Sequence, residues 1–251
     1  MIITPYTVKL SLKSCVEKIF HVTTKEKAVF RHFPITGNYL VLPSNVFSVQ
    51  PLLNVKKYQT PNEPFMTKKE HAIVDIELPK NSELFLFKFT PSGFSNLFGV
   101  DAFHLLEERI LCKDFHNSKS MDLLSSFNQE SNITNKISII QSRLEEIKNN
   151  HFSNDSSIEE AIKLIKKDFT HIKVNDIIRK LNISRSTLER KFKHRIGHSP
   201  KATISLVRIS HMLSHIKNEK KFEYEKFGYY DQSHFLKEYK KFSNILPKEL
   251  I

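Results

Sequence analysis

One pattern is written twice near the C-terminus, and it restricts what this chain can fold into more than any other feature. Residues 184–201 read SRSTLERKFKHRIGHSPK and residues 231–248 read DQSHFLKEYKKFSNILPK. At a constant offset of 47 residues, Ser184 falls on Asp231, Leu188 on Phe235, Arg190 on Lys237, Phe192 on Tyr239 and Pro200 on Pro247. Both copies supply a cap residue, a polar first turn of helix, apolar anchors, a basic stripe and a Pro-Lys restart. Two similar basic helices at fixed separation suit a helical domain that grips two successive major-groove segments on one face of DNA.

The surroundings of the first copy support this. Ile158, Ile162 and Ile165 mark one helix, with Ser156 or Ser157 as its cap and Glu159 and Glu160 near its positive end. Ile177, Ile178 and Leu181 mark a second, and Asn182-Ile183 turns the chain to Ser184. Ser184 caps a third helix anchored by Leu188 and Phe192, and Gly197 offers the left-handed conformation that ends it. Pro200 opens a long fourth helix where its missing N–H costs nothing. Residues 174–195 thus read as a helix-turn-helix whose second helix enters the major groove. Its outward residues are Ser186, Glu189 and Arg190. Arg190 suits a bidentate contact to guanine, and Glu189 suits cytosine or the orientation of that arginine. Ser184, Arg185, Thr187, Lys191 and Lys193 complete the DNA-facing set, with Lys191, Lys193 and Arg185 expected at phosphates. In the second unit (about 219–242) Phe235 and Tyr239 face inward, whereas Gln232, Ser233, Leu236 and Lys237 face outward. Gln232 is the candidate adenine reader, and His234 is placed to touch phosphate or base.

Residues 1–115 read differently. Short apolar segments near Val8–Leu12, Val16–Val22, Ala28–Phe33, Tyr39–Leu42 and Val46–Val49 are punctuated by Pro, Gly, Asn or Thr, as in a barrel or sandwich. Residues 72–78 and 84–89, joined by Pro79-Lys80-Asn81-Ser82, read as a hairpin whose second strand is buried on both faces. Residues 94–98 and 103–110 shift to helical spacing. Residues 116–155 read as a helical connector, because Ile137, Ile140, Leu144 and Ile147 share one helix face. The expected class is therefore α+β: a β-rich sensor or dimerisation domain (1–115), the connector, and an all-α DNA-binding domain (156–251) with two helix-turn-helix units joined by a long helix.

Charge follows the same division. The formal net charge is +12. From His151 onward 21 Lys and Arg stand against 12 Asp and Glu, so the excess lies mainly beside the candidate DNA-binding units. No apolar run approaches the roughly 18 residues of a membrane span. The stretch MIITPYTVKLSLK lacks a secretion signal's pattern, so the expected location is the cytoplasm. Cys15 and Cys112 stand apart and suit reduced core thiols. An enzyme is not expected. Only five glycines exist, with no phosphate-binding loop or nucleophile elbow, and His194 and His198 straddle Gly197 at a helix end. No metal or cofactor is expected.

The segments VNDIIRKLNISRSTLERKFKHRIGHSPK (174–201), LVRISHML with Arg208, and GYYDQSHFLKEYKKFSNILPKEL (228–250) together resemble the AraC/XylS family of bacterial transcription regulators. FLFKFTPSGFSNLFGV (85–100) resembles a motif in a poorly characterised β-rich domain found on some of them. The resemblance implies a DNA-binding regulator with a sensor whose ligand is unnamed. Candidate partners are double-stranded DNA, RNA polymerase, a small-molecule effector and a second copy of the chain. The alternatives are an architectural DNA binder and a sensor with a weakened second unit. That last alternative has a specific basis. Between Arg208 and Gly228 the chain is about three residues shorter than the family pattern, and Glu223 and Tyr224 occupy positions that normally hold a branched apolar and a small residue. Asn244 also stands where the first unit has Gly197. Removing the Tyr224 ring is expected to preserve or improve folding of the second unit.

Overall fold

The computed structural model describes residues 1–33, 36–52, 56–67, 72–103, 110–111, 127–151, 155–219 and 223–241. Among the described residues ten strands form two antiparallel sheets: β1 (Ile2–Tyr6), β2 (Val16–Thr23), β3 (Ala28–His32), β4 (Tyr39–Pro43), β5 (Ser48–Pro51), β6 (Tyr58–Gln59), β7 (Phe65–Met66), β8 (Val74–Leu78), β9 (Glu83–Phe89) and β10 (Ile110–Leu111). The larger sheet runs β1-β2-β9-β4-β7-β10 and the smaller β3-β8-β5-β6. They face each other without closing into a barrel. Val22, Val41 and Leu84 of the larger sheet share a buried cluster with Val49, Val74 and Leu78 of the smaller.

The expected hairpin is not one. Strand β8 pairs with β3 and β5, whereas β9 pairs with β2 and β4, so the 79–82 turn is a corner between sheets. Thr24 holds that corner: its hydroxyl donates to the Pro79 carbonyl at 2.8 Å and accepts from the Ser82 amide at 2.9 Å. Asn81 takes the left-handed backbone there (φ 58°). The expectation for β9 itself holds. Leu84 faces the smaller sheet, while Phe85, Phe87 and Phe89 join a second cluster on the opposite face. The Val8–Leu12 segment is not a strand, because Leu10–Leu12 forms a 3-10 turn that buries Leu12.

Helix α1 (Gly93–Phe98) and helix α2 (Ile133–His151) cover that opposite face of the larger sheet. Gly93 is required where α1 begins, since a Cβ there would sit 2.0 Å from the Cys15 carbonyl oxygen. The helix expected as a connector buries Ile137, Ile140 and Leu144 against the sheet's phenylalanines. Its Gln141 Oε1 accepts from the Lys9 amide at 2.7 Å. Cys15 is a buried free thiol, and burial raises its pKa. Phe103 lies in a short turn and Ile110 in β10, so the helical expectation for 103–110 fails at its end; residues 104–109 and Cys112 lie outside the described residues.

The C-terminal helices are α3 (Ser156–Lys167), α4 (Val174–Leu181), α5 (Arg185–Ile196), α6 (Pro200–Glu219) and α7 (Gln232–Tyr239). The cap of α3 is Asp155 rather than either serine; its carboxylate accepts from the Ser157 amide. Two clusters hold these helices. Ile158, Ile165, Ile177, Leu188 and Phe192 form the first, with Ile204 and Val207 of α6. Leu206, Ile209 and Leu213 of the same helix form the second, with Phe227, Phe235 and Tyr239. Ile73, just before β8 of the smaller sheet, is fully buried in that second cluster, and Phe33 and Leu52 pack against it.

Candidate nucleic-acid interface

Local chemistry dictates the first unit. The Lys173 amide donates to Asp176 Oδ2 at 2.9 Å at the start of α4, and Asn182 ends that helix in the left-handed conformation (φ 49°). Ser184 Oγ then accepts from the Thr187 amide at 3.1 Å and caps α5. Leu188, Phe192 and Ile196 are buried, so the opposite face is fixed outward. Arg185, Ser186 and Arg190 are exposed, and Glu189 is half-buried beside them. The Ser184 hydroxyl lies 2.9 Å from those of Ser186 and Thr187, and Arg185 donates to Asn175 Oδ1 at 2.7 Å. Gly197 closes α5 with φ 82°.

Lys191, Lys193 and His194 of α5 also meet protein rather than solvent alone. Lys191 Nζ donates to both Asp155 oxygens, at 3.0 and 2.8 Å, and to Ser157 Oγ at 2.8 Å. Lys193 Nζ lies 4.8 Å from the centre of the Phe103 ring. His194 Nδ1 is 2.8 Å from Asp101 Oδ2. The last two partners belong to the β-rich half. A further joint links the halves, because Asn96 of α1 donates to Glu159 Oε1 at 3.2 Å and Ser92 donates to the same oxygen. The FLFKFTPSGFSNLFGV segment (85–100) therefore touches α3 through Ser92 and Asn96, and Asp101 and Phe103 just beyond it touch α5. Their helical phase in the sequence carried no sign of these partners.

The second unit is built on less. Asp231 Oδ1 accepts from the His234 amide at 2.7 Å and caps α7. Gln232, Ser233, His234 and Lys237 are exposed, and Phe235 and Tyr239 are buried. Leu236, expected outward, instead packs half-buried on the second cluster. Among the described residues between α6 and α7, the support is one 3-10 turn, Tyr224–Phe227, rather than a longer helix. Gly228 follows with φ 78°, and a Cβ there would lie 2.1 Å from the Thr170 carbonyl oxygen. Tyr224, expected to be dispensable, packs against the second cluster. Arg208 ties the units together: its guanidinium donates to the Phe169 and Thr170 carbonyls at 3.2–3.3 Å and covers the Tyr229 ring at 5.6 Å. Asn244 and the second Pro-Lys restart lie outside the described residues.

Away from these helices, an apolar cavity of about 250 Å³ opens between the two sheets, with His32 and Tyr39 on its wall. Its lining is scattered over many strands, and no local motif announced it. Among the described residues no helix is long and apolar enough to cross a membrane, and no cluster of side chains could hold a metal ion.

Residues 177–251 match the family model of a helix-turn-helix domain. This part of the chain is an AraC-type helix-turn-helix domain. No curated protein sequence matches the chain. Among solved structures, ToxT from Vibrio cholerae is similar at 18% identity with a TM-score of 0.47, over 92% of this chain and 95% of that one. ToxT bound to an unsaturated fatty acid is similar at 17% identity and 0.44, over 92% of both chains. The AraC-like transcriptional activator CuxR is similar at 14% identity and 0.37, over 90% of this chain and 84% of that one.

Proposed function

We propose that the protein is a transcription regulator of the AraC type that acts in the cytoplasm and binds specific DNA by setting α5 and α7 into successive major-groove segments, with the β-rich half adjusting that grip. The observation that carries the reading is the pair of side-chain-capped helices whose inner faces are buried and whose outer faces are polar and basic. Arg190 and Gln232 are the base readers, with Glu189 orienting Arg190. Arg185, Lys193 and Lys237 serve phosphates, with Ser184, Ser186, Thr187, Ser233 and His234 at the helix starts. Lys191 reaches a phosphate only by leaving Asp155.

The inter-sheet cavity is read as the effector site. The joints from Ser92, Asn96, Asp101 and Phe103 to α3 and α5, and the burial of Ile73 in the second cluster, give effector occupancy a route to the DNA-binding units. A specific observation favours a second reading, in which the second unit binds weakly: α7 rests on a single 3-10 turn.

Selection of bound sequences from random duplexes by the full chain separates the two readings. Two conserved half-sites spaced by about one helical turn of DNA support the double grip. A single half-site supports the weakened second unit. Recovery of unrelated sequences with equal affinity overturns specific recognition altogether.

A further inference from the structure

The cavity between the sheets has walls of Phe20, Val41 and Leu86 on one side and Phe30, Val49 and Ile76 on the other. Among the described residues, no Lys, Arg, Asp or Glu lines it. Its polar groups are few, and two of them are already committed. Thr60 Oγ1 accepts from the Phe47 amide at 3.0 Å and donates to the Phe47 carbonyl at 3.1 Å. Thr67 Oγ1 accepts from the Tyr39 amide at 2.9 Å. The rings of His32 and Tyr39 stand edge to face, 5.6 Å between centres, and present two polar groups on one wall.

Both groups are uncharged near neutral pH. Burial, helped by the charge of Lys88, lowers the His32 pKa to about 4. Burial, helped by Glu17, pushes the Tyr39 hydroxyl well above its ordinary value. An anion entering this space loses its hydration and finds no cationic side chain among the described lining residues, which is strongly unfavourable. An empty apolar cavity of this size costs stability in proportion to its volume, and its lining offers water few partners. Volume bounds the occupant. Since a cavity of about 150 Å³ accepts benzene, this one takes a molecule of roughly two fused rings.

We propose that the cavity binds an uncharged, largely apolar molecule of about two-ring size, whose single hydroxyl or carbonyl hydrogen-bonds with His32 and Tyr39. This rests on the reading of the cavity as the effector site. It adds the chemical class of the ligand and excludes carboxylates.

Calorimetry on the full chain at neutral pH, without DNA, compares three probes: 2-naphthol, 2-naphthoate and naphthalene. 2-Naphthol is expected to bind at one site, about tenfold or more tighter than 2-naphthoate. H32L should reduce the advantage of 2-naphthol over naphthalene to about twofold or less while naphthalene still binds. V49F, which fills the space, should abolish binding of both. If V49F does not fold, nuclear Overhauser contacts between 2-naphthol and the Val41 methyls and Phe47 ring of the unaltered protein locate the ligand instead. Naphthoate binding as tightly as naphthol, no binding by any probe, binding unaffected by V49F, or absent contacts to Val41 and Phe47 would each overturn the proposal. Because DNA is absent from the measurement, such a failure leaves specific DNA recognition intact. Conversely, failure to select a DNA sequence would leave this ligand class standing.

Discussion

Lys191 grips both carboxylate oxygens of Asp155, the residue that caps helix α3, and so fastens the middle of α5 to the start of α3. Burial pushes the Asp155 carboxyl up, but hydrogen bonds from Lys191 and Ser157 and the lysine's charge outweigh it and leave the pKa below its ordinary value. Lys191→Ala is therefore expected to cost about 1 kcal/mol of stability. A group whose pKa falls on folding adds stability above its unfolded value, near 3.9, and loses it as pH falls through the folded value. Thermal melts at pH 7 and pH 3 should accordingly show a smaller difference between variant and parent at pH 3. An unchanged melt at pH 7, with a flatter salt dependence of DNA binding, would show that Lys191 acts at phosphate instead.

Gly228→Ala faces two penalties together. The backbone is in the left-handed region, and the new methyl would meet the Thr170 carbonyl 2.1 Å away. We expect a loss of at least about 2–3 kcal/mol, from strain plus displacement of the Thr170 segment. Denaturant unfolding measures it. A loss below about 0.5 kcal/mol would mean that the turn relaxes freely.

Ile73→Ala removes a fully buried side chain that the β-rich half contributes to the core of the second unit. The expected cost is about 2–5 kcal/mol. Hydrogen exchange should show the lost protection in α6 and α7 as well as in β8. Loss confined to the strands would show that the plug does not couple the halves.

Arg190→Ala should weaken binding to a selected site by about 1–3 kcal/mol and relax preference at one base position. Competition binding with single-base variants reads both effects. An equal loss on every sequence would reassign Arg190 to phosphate.

His32 gives stability a pH dependence of opposite origin to that of Asp155. Its folded pKa, about 4, lies below the unfolded value near 6.5, so between these limits the unfolded chain binds more protons. Stability should be fully present above about pH 6.5 and fall with acidification by up to about 1.4 kcal/mol per pH unit until about pH 4. H32L should remove that slope, which denaturant titrations between pH 4 and pH 7 would detect.

Local chemistry was legible in the sequence wherever it was sufficient. Ser184, Leu188, Phe192 and Gly197 specify the start, inner face and end of α5 within one short segment, and Asp231, Phe235 and Tyr239 do the same for α7. Turns that join distant strands were not. Pro79–Ser82 has the same composition whether it closes a hairpin or rounds a corner, and the deciding partner, Thr24, lies far back in the chain. Lys191 lies on a helix flank whose neighbour, Asp155, belongs to another helix; an aspartate two residues before Ser157 at the start of an apolar repeat was the available signal. No local pattern reports the cavity, because its lining is drawn from both sheets, one or two residues at a time. Tyr224 stands at a position that usually holds a small residue, and only the 3-10 turn gives it a place on the second cluster.

Helix α6 contributes Ile204 and Val207 to one core and Leu206, Ile209 and Leu213 to the other. It therefore works as an axle with two wheels keyed to it. A residue inserted between Val207 and Ile209 would turn one unit by about 100° relative to the other. The mutual bearing of α5 and α7 is thus written in the phase of a single helix, where a one-residue indel misaligns both units while most point substitutions leave their alignment unchanged.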